Sequence, residues 1–596
     1  MSDFTTRPEI RGTFGVATST HWIASAVGMG ILEKGGNAFD AAVATALTLQ
    51  VVEPHLNGPA GDMPAIFHSA TTGRTEVLCA QGVAPAAATV EHYRAQGLTL
   101  VPGSGLLATV VPGAFDGWML MLRDHGTMGL REVMQPAIDY ARDGHPVLPR
   151  VAATIADLAD FFAREWPTSA AVWTPGGKAP EPHALFRNPD LAATYDRLAT
   201  LGEAAGGDRV AQIDAARREW REGFVAEAIF GYLEDACVMD VSDSRHSAVL
   251  AAPDMANWRA TYETPLSYDY HGWTVHKTQA WSQGPVLLQA LAILKGIDIA
   301  AMDPFGAEFV HVVIEAMKLA YADREAYYGD PDFSEIPMEH LLSEAYNAER
   351  RALIGVAASM EQRPGRVPGF EAQADAYVER AARDFDVGHV VAQEPTMSHL
   401  TERRGDTVHL DIIDRWGNMV ASTPSGGWLQ SSPVIPGLGF PLNSRAQMFW
   451  LEHGLPTSLE PGRRPRTTLT PSLAEKDGAR LVFGTPGGDQ QDQWQLIWFL
   501  RFVHFGMGLQ ECMDAPLFHS MHFQGSFYPR ETKPGEMMIE PAFGPAVIDD
   551  LRARGHIVTV AEPWTVGRLT AAMREADGGL RAAATPRLMQ AYAVGR

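Results

Sequence analysis

Thr407 stands where a polar stretch of the chain gives way to an apolar one, a position that suits a nucleophile. Residues 403–422 read RRGDTVHLDIIDRWGNMVAS, and polar and apolar side chains alternate from Thr407 onward. Because successive side chains of a β-strand point to opposite faces, the alternation predicts a strand with a polar face, Thr407, His409 and Asp411, and a core face, Val408, Leu410 and Ile412. The turn sequence Arg-Trp-Gly-Asn at 415–418 then predicts a hairpin that Thr407 opens.

A threonine hydroxyl inside a chain is a poor nucleophile, because it needs a base. His409 lies two residues further along the strand, roughly 6.6 Å away, which is too far for a simple Thr-His pair. We interpret His409 as a core or supporting residue. A cut between Asp406 and Thr407 would instead give Thr407 a free α-amine with a pKa of about 7.7–8.0. That amine would be a base held beside the hydroxyl it must activate.

A second candidate is the Gly487-Gly488 pair in LVFGTPGGDQQDQWQLIWFLRFV, which predicts a short strand, a tight turn and an apolar-faced helix. Backbone N–H groups at such a turn can bind a phosphate or the oxyanion of a tetrahedral intermediate. Taken alone, the pair also fits a purely structural turn. A phosphate-binding P-loop is disfavoured because no Gly-Lys-Ser/Thr follows.

A third candidate is RRPRTTLTPS at 463–472, in which three arginines stand beside Thr467 and Thr468. One interpretation is a solvated basic loop. The other is a set of hydroxyl and guanidinium groups that bind a carboxylate or a polar carbonyl.

The elements that must position these residues follow from the local patterns. The sequence predicts a helix over 35–54 with Asn37 as its cap and Pro54 as its stop, then a Gly-rich turn into a strand. Residues 115–350 read as mostly helical, most clearly at 307–330, and 357–406 as a polar, extended and loosely structured connector. Strands are predicted at 407–414, 418–423 and 480–484, and a helix at about 489–505, which together indicate an α+β layered fold.

Composition excludes several classes of protein. The chain has 596 residues, 46% of them apolar, and a formal net charge of −23, which argues against nucleic acid as a partner. Its apolar runs are too short to span a membrane and none resembles a signal peptide, so we expect a cytoplasmic protein that does not bind membranes. Cys79, Cys237 and Cys512 are widely separated and are expected to be buried thiols rather than a disulfide framework or a metal site.

Seven segments carry a resemblance to a known family. They are GGNAFDAAVATALTLQVVEPH, VVPGAFDGWMLMLRDHGTMGLREVMQPAIDYARDG, AMKLAYADREAYYGDPDF, TVHLDIIDRWGNMV, RRPRTTLTPSL, FGTPGGDQQ and ATPR. In this order, and covering nearly the whole chain, they resemble the γ-glutamyltransferase (γ-glutamyltranspeptidase) family. The combination is highly specific, although each piece separately is not.

The resemblance implies an N-terminal-nucleophile hydrolase with a four-layer αββα fold. It implies a proenzyme that cleaves itself between Asp406 and Thr407 into a large subunit, 1–406, and a small subunit, 407–596, which stay intertwined. Thr407 would be the nucleophile, Ser425 would support it, and Gly487 and Gly488 would form the oxyanion hole. Thr467 and Thr468 match the family's Ser-Ser pair. No cofactor or metal is implied, and the expected partner is a small-molecule amide, together with an amine or amino-acid acceptor if the enzyme transfers.

Several positions depart from the family pattern. Gln81 stands where the family has an arginine for the α-carboxylate of a γ-glutamyl group, and Gln447 or Met448 where it has an aspartate for the α-ammonium. Gly427 replaces an asparagine. Each lost charged contact typically costs about 1.5–3 kcal/mol. Arg445 and Arg466 are candidates to bind a carboxylate instead or to make structural hydrogen bonds, and Trp428 could line an apolar acyl pocket.

The sequence therefore predicts an amide hydrolase or acyltransferase that forms an acyl-enzyme on Thr407, on an acyl group other than a standard γ-glutamyl. Three alternatives stay open: a true γ-glutamyltransferase or glutathione hydrolase with a rebuilt pocket, a relative of cephalosporin acylases or oxamate-type amidohydrolases, and a binding protein without catalysis. A binding protein would be expected to have lost the nucleophile or the oxyanion glycines, and Thr407, Gly487 and Gly488 are all present.

Overall fold

The computed structural model describes residues 4–383, 407–589 and 591–596. Its strands in chain order are β1 Ile10–Gly12, β2 Gly15–Ser19, β3 Met63–Ser69, β4 Arg74–Ala80, β5 His145–Pro146, β6 Leu185–Phe186, β7 Val238–Met239, β8 Arg245–His246, β9 Thr261–Glu263, β10 Leu266–Tyr270, β11 Trp273–Lys277, β12 Leu410–Asp414, β13 Met419–Ser422, β14 Ser472–Lys476, β15 Ala479–Gly484, β16 Phe518–Ser520, β17 Glu536–Ile539, β18 Ile557–Val560, β19 Thr570–Arg574, β20 Leu580–Ala584 and β21 Tyr592–Gly595.

The α-helices are α1 Trp22–Glu33, α2 Ala38–Val52, α3 Val90–Ala95, α4 Ala114–His125, α5 Leu130–Asp143, α6 Pro149–Glu165, α7 Pro167–Trp173, α8 Pro189–Ala204, α9 Arg209–Arg221, α10 Phe224–Leu233, α11 Ala252–Asn257, α12 Pro285–Leu294, α13 Ala307–Tyr327, α14 Met338–Leu341, α15 Glu344–Arg351, α16 Glu371–Ala381, α17 Gln491–Phe505, α18 Leu509–Asp514 and α19 Pro545–Ala553. Short 3₁₀ turns include Arg445–Met448 and Gly488–Gln490.

Two seven-stranded antiparallel sheets form the centre of the fold. The order in sheet A is β1-β20-β19-β15-β14-β11-β10, and the order in sheet B is β21-β2-β12-β13-β3-β4-β9. Both sheets combine strands that precede Thr407 with strands that follow it. A smaller sheet, β16-β17-β18, lies outside this pair.

The apolar cores divide the molecule into four layers. On one face of sheet B, Leu410 and Ile412 pack in the same core as side chains of α1, α2 and α4. On its other face, Ile413 packs in a core shared with sheet A, which includes Val482. The far side of sheet A, through Phe483, packs with α12, α13 and α17. The order is helices, sheet B, sheet A, helices, which confirms the predicted αββα sandwich.

The predicted hairpin is present. β12 pairs with β13 in antiparallel register, with Ile413 opposite Met419, and β12 also pairs with β2 on its other edge. Both faces of β12 are buried, because the polar face that begins at Thr407 is covered by sheet A rather than by solvent.

Local patterns also predicted the main helices correctly. In α2 the side chain of Asn37 accepts the backbone N–H groups of Phe39 and Asp40, and the Asp40 carboxylate accepts the N–H of Asn37, a complete capping box. Helices α13 and α17 match the predictions at 307–330 and 489–505, and β3 and β15 match the predicted strands.

The stretch 115–350 is mostly helical, as predicted, and it also supplies β9 to sheet B and β10 and β11 to sheet A. Two predictions are wrong. The connector at 357–406 is not wholly extended, because α16 forms within it and buries Arg380. Cys237 is exposed, although Cys79 and Cys512 are buried as expected. The rest of the connector, 384–406 with Asp406, lies outside the described residues.

Within the described ranges, no helix combines the length and the apolar character that crossing a membrane requires.

Candidate active site

Thr407 lies fully buried at the head of the β12 segment. Its hydroxyl donates to the hydroxyl of Ser425 over 3.2 Å, and the two residues form an isolated antiparallel bridge. Ser425 also exchanges backbone hydrogen bonds with Asp62, which precedes β3. The predicted nucleophile and its predicted supporting hydroxyl are therefore adjacent.

His409 is held away from Thr407, as its spacing predicted. One ring nitrogen lies 2.9 Å from the Thr423 hydroxyl and the other 2.9 Å from the Asp411 carboxylate. Asp411 in turn accepts hydrogen bonds from Thr18 of sheet B and Thr570 of sheet A. The polar face of β12 is thus a buried network that joins the two sheets beneath Thr407.

The Gly487-Gly488 turn follows β15 and leads into α17 through the 3₁₀ turn. The φ angles are +128° at Gly487 and +55° at Gly488, in a region that favours glycine. A Cβ on Gly487 would lie 2.3 Å from the ring of Trp494. No hydrogen bond between described residues uses the N–H of either glycine, so both remain available to an oxyanion.

The arginines of the 463–472 segment are buried, so the interpretation as a solvated basic loop is wrong. Arg464 pairs with Asp330 at 2.6 Å and Arg466 with Glu325 at 2.9 Å. Arg466 also donates to the Ser526 hydroxyl, and burial, reinforced by the charge of Arg324, lowers its pKa to about 10. Its guanidinium is therefore already ion-paired within the protein.

Thr467 and Thr468, the two threonines beside Arg466, differ in the hydrogen bonds that they make. The main chain of Thr467 bonds to Trp281 and Gln283, and its hydroxyl accepts the N–H of Leu469. The hydroxyl of Thr468 is buried and makes no hydrogen bond with the described residues, which leaves it free to contact a ligand.

The guanidinium of Arg445 is likewise already paired within the protein. Its guanidinium lies 2.8 and 3.0 Å from the two carboxylate oxygens of Asp62 and 5.1 Å from the ring centre of Trp428. Burial raises the pKa of Asp62, and Arg445 opposes that shift. Trp428 forms a small apolar cluster with Met448 and Phe527, which places an apolar surface beside the Arg445–Asp62 pair.

Gln81 and Gln447 make structural contacts. The Gln81 amide donates to the carbonyl of Gly82, and its own carbonyl oxygen accepts no hydrogen bond from the described residues. The Gln447 side chain donates to Gly103 and accepts the N–H of Tyr528. Neither supplies the charge that would replace the family's arginine or aspartate.

A cleft opens beside Gly488. It contains about 610 Å³ of empty space, part of which is open to solvent. Phe523 and Phe527 contribute apolar walls and Asp489 a polar one. Since Phe527 also belongs to the cluster with Met448 and Trp428, the apolar surface extends from the cleft to the Arg445–Asp62 pair.

Sequence reasoning missed several residues of this site. Asp489 had a local signal, because it directly follows the glycine pair, and Asp411 stood on the polar strand face. Asp62, Gln283 and Phe527 had none, because they reach the site only through tertiary packing.

One group outside this site has metal-ligand geometry. Ligand atoms of His311, Glu315 and His556 lie within 4.8 Å of one another. However, Lys318 and Arg363 pair with the two oxygens of Glu315 at 2.7 and 2.9 Å. A divalent cation would have to enter a site that already carries excess positive charge, so we assign no metal there.

Comparison with known proteins agrees with this geometry. The family model for gamma-glutamyltranspeptidase matches residues 24–595. The chain belongs to the gamma-glutamyltranspeptidase family. It is an amidohydrolase or acyltransferase of the N-terminal-nucleophile type, as the sequence predicted.

Relatives in the gamma-glutamyltranspeptidase family span the whole chain. The acylase ACY 1 proenzyme of Pseudomonas sp. (strain SE83) is 31% identical over 98% of this chain and 94% of its own length. The glutathione hydrolase-like YwrD proenzyme of Bacillus subtilis (strain 168) is 29% identical over 97% of both chains. Among solved structures, LmbA2991HD is 54% identical with a TM-score of 0.91 and full coverage of both chains. The cephalosporin acylase of Bacillus halodurans is 26% identical with a TM-score of 0.82, covering 100% of this chain and 98% of its own.

Proposed function

We propose that this protein is a self-processing threonine amidohydrolase or acyltransferase that acts on an acyl group other than a standard γ-glutamyl. The observation that carries the proposal is the placement of Thr407, whose hydroxyl lies against that of Ser425 at the head of a buried strand. The glycine turn after β15, with both of its N–H groups unengaged, supports the same chemistry.

Maturation comes first. The hydroxyl oxygen of Thr407 attacks the carbonyl carbon of Asp406, the C–N bond between them breaks, and the acyl group moves from nitrogen to oxygen as an ester. Water then hydrolyses the ester, which leaves a carboxylate on Asp406 and a free α-amine on Thr407. The products are the proposed large and small subunits, 1–406 and 407–596.

Catalysis uses the new amine as the base. It accepts the hydroxyl proton of Thr407 as the oxygen attacks the substrate amide, and the N–H groups of Gly487 and Gly488 stabilise the oxyanion. The ammonium then protonates the leaving amine as the C–N bond breaks. Water or an acceptor amine attacks the resulting ester and restores the hydroxyl. Ser425 would donate or accept a hydrogen bond at the nucleophile throughout.

The specificity rests on the groups that face the site. Gln81 and Gln447 carry no charge, and Arg445 and Arg466 are already paired with Asp62 and Glu325. An α-amino acid end would therefore find no unpaired charged partner among these residues, whereas Trp428 and Phe527 offer apolar contact. The Thr468 hydroxyl could bind a polar atom of the acyl group.

A second candidate function is hydrolysis of glutathione or another γ-glutamyl compound in a rebuilt pocket, which the similarity to the YwrD protein favours. Oxamate-type substrates and loss of catalysis remain further alternatives. Cytoplasmic location and the use of an amine acceptor stay predictions of the sequence.

A comparison of substrates separates these functions. We expect release of p-nitroaniline from a simple acyl anilide and little from γ-glutamyl-p-nitroanilide, with and without glycylglycine. Release from the γ-glutamyl compound alone, stimulated by glycylglycine, would instead establish a γ-glutamyltransferase. No release from either compound by fully cleaved protein would favour an oxamate-type amide or a binding role.

A further inference from the structure

The proposed oxyanion turn consists of two glycines, whose backbone has little conformational preference of its own. A hydrogen-bond donor stabilises a transition state well only if its direction is fixed before the reaction. The turn therefore needs hydrogen bonds that hold its peptide planes in place.

Three hydrogen bonds fix the peptide planes on either side of Gly488. The N–H of Gln490 donates to the carbonyl of Gly487 over 3.0 Å, which orients the plane that carries the Gly488 N–H. The carbonyl of Gly488, on the next plane, accepts the side-chain amide of Gln283 over 3.2 Å and the backbone N–H of Gln491. With both planes held, the φ and ψ angles of Gly488 are set.

Gln283 is itself held on both sides. Its backbone N–H donates to the carbonyl of Thr467 over 2.9 Å, and its side-chain oxygen accepts from Arg324 over 2.7 Å. Because Arg324 can only donate, this contact assigns the oxygen of Gln283 to Arg324 and leaves the NH₂ group for Gly488. All these groups are buried, so water does not compete for them.

Arg324 completes a closed ring of contacts. Its guanidinium lies 2.6 Å from the carboxylate of Asp489, the residue after Gly488. That carboxylate also accepts the N–H and hydroxyl of Ser526, and the Tyr321 hydroxyl donates to the Asp489 carbonyl. Burial acts to raise the pKa of Asp489, but Arg324 and Ser526 outweigh it and hold the pKa below its usual value.

We propose that Gln283, fixed by Arg324, is a positioning residue that holds Gly488 in the conformation needed to bind the oxyanion. The assignment rests on the proposed function. Both Gln283 and Arg324 precede Thr407, so the proposed large subunit fixes the oxyanion hole of the proposed small subunit.

The test replaces Gln283 with leucine, which leaves every charged neighbour in place. Gln510→Leu is the matched control, because Gln510 is a buried glutamine that bonds the backbone of Ala584, away from the glycine turn. We expect Gln283→Leu to lower kcat about 10- to 100-fold on an acyl p-nitroanilide, with KM within about threefold of the wild type. The control should keep its kcat.

An alkylboronic acid supplies a readout that a purely structural role would not move. It forms a tetrahedral adduct with the Thr407 hydroxyl, so its affinity should fall in Gln283→Leu by the same factor as kcat while KM changes little. A kcat within twofold of the wild type, or equal losses in Gln283→Leu and the control, would overturn the assignment.

A second variant covers the case in which Gln283→Leu does not fold. Gln283→Asn keeps the amide but shortens its reach by one methylene, and the same fall in kcat is expected. A cleaved wild-type protein that hydrolyses no amide and binds no boronic acid would overturn the proposed function and this assignment together. Loss of activity and of boronic-acid affinity in the Gln283 variants alone would support both the proposed function and the positioning role of Gln283.

Discussion

At the scale of single residues, the chemistry depends on what surrounds Thr407. Its hydroxyl lies against Ser425, and the nearest histidine of the strand is engaged by Thr423 and Asp411. A base from the side chains of this strand is therefore excluded by geometry. The α-amine that the proposed cleavage would release fits the role of base, because it would belong to Thr407 itself.

Thr407→Ala should remain a single chain of 64.7 kDa and show no amidase activity, because both self-cleavage and catalysis need the hydroxyl. Thr407→Ser is the control, since it keeps a hydroxyl and should be cleaved, although more slowly. Intact mass under denaturing conditions shows whether each of the two variants has been cleaved. A normally cleaved alanine variant would remove Thr407 from the mechanism.

The Arg445–Asp62 pair predicts an effect on stability. Arg445→Met should lower the free energy of unfolding by roughly 3–5 kcal/mol near pH 7, because it leaves a buried carboxylate unpaired. Denaturant unfolding of the cleavage-deficient chain, which avoids a two-chain equilibrium, measures the change.

The pH dependence of that loss has a definite sign. Burial already raises the pKa of Asp62, and removing Arg445 should raise it further. The folded state then binds a proton more strongly than the unfolded state, so the loss is largest above the folded-state pKa. It should shrink as the pH falls through that value towards about 4. Asp62→Asn combined with Arg445→Met should recover much of the loss, and a loss independent of pH would contradict the explanation.

Among single residues, the sequence indicated the candidate chemical groups better than it indicated their contacts. Thr407, Ser425 and the glycine pair follow from motifs that lie close together along the chain or match the family order. The partners Asp62 and Glu325 could not be predicted, because each meets its arginine more than a hundred residues away through packing. Whether Arg445 and Arg466 bind substrate or only stabilise the fold depends on those partners.

At the scale of elements, the end of β15 passes directly over the β12 segment. A Cβ on Gly484 would lie 2.2 Å from the ring of His409. The absence of a side chain at Gly484 thus lets sheet A approach the polar face of β12.

Gly484→Ala should therefore destabilise the protein by about 1–3 kcal/mol and reduce activity, because the His409 ring cannot move without breaking its bonds to Thr423 and Asp411. Gly30→Ala is the control. Gly30 lies inside α1 with no atom within 4 Å of the added Cβ, so alanine there should stabilise the helix by up to about 1 kcal/mol. Thermal and denaturant unfolding measure both, and equal effects would contradict the close approach.

Element prediction succeeded where the signal was local. The cap at Asn37 defined α2, and the Gly-Asn turn defined the β12–β13 hairpin. It failed for β9, β10 and β11, which are short and become strands by pairing with β4 and β14. It left the 463–472 segment undecided between a solvated loop and a binding site, because the acids that pair with Arg464 and Arg466 lie far away in the chain.

At the scale of the whole molecule, each sheet is built from both sides of residue 407. In sheet B, β12 and β13 lie between β2 and β3, and in sheet A, β14 pairs with β11 while β20 pairs with β1. Cutting before Thr407 would leave all of these pairings intact.

Mature protein should therefore have one mass in native conditions and two in denaturing conditions. Native mass spectrometry should give the mass of the full chain plus one water, or a multiple of it. Denaturing conditions should give roughly 44 and 21 kDa, the smaller beginning Thr-Val-His-Leu. Two species that separate without denaturant would contradict the interleaved arrangement.

The shared sheets also link the proposed cut to folding. The β12–β13 hairpin places Thr407 beside Ser425, and pairing with β2 and β3 builds that hairpin into sheet B. A chain whose folding stalls would lack the geometry for the cut. If the chain is cut before Thr407, the ratio of cut to uncut chain in a preparation should then report its folding yield without any assay of activity.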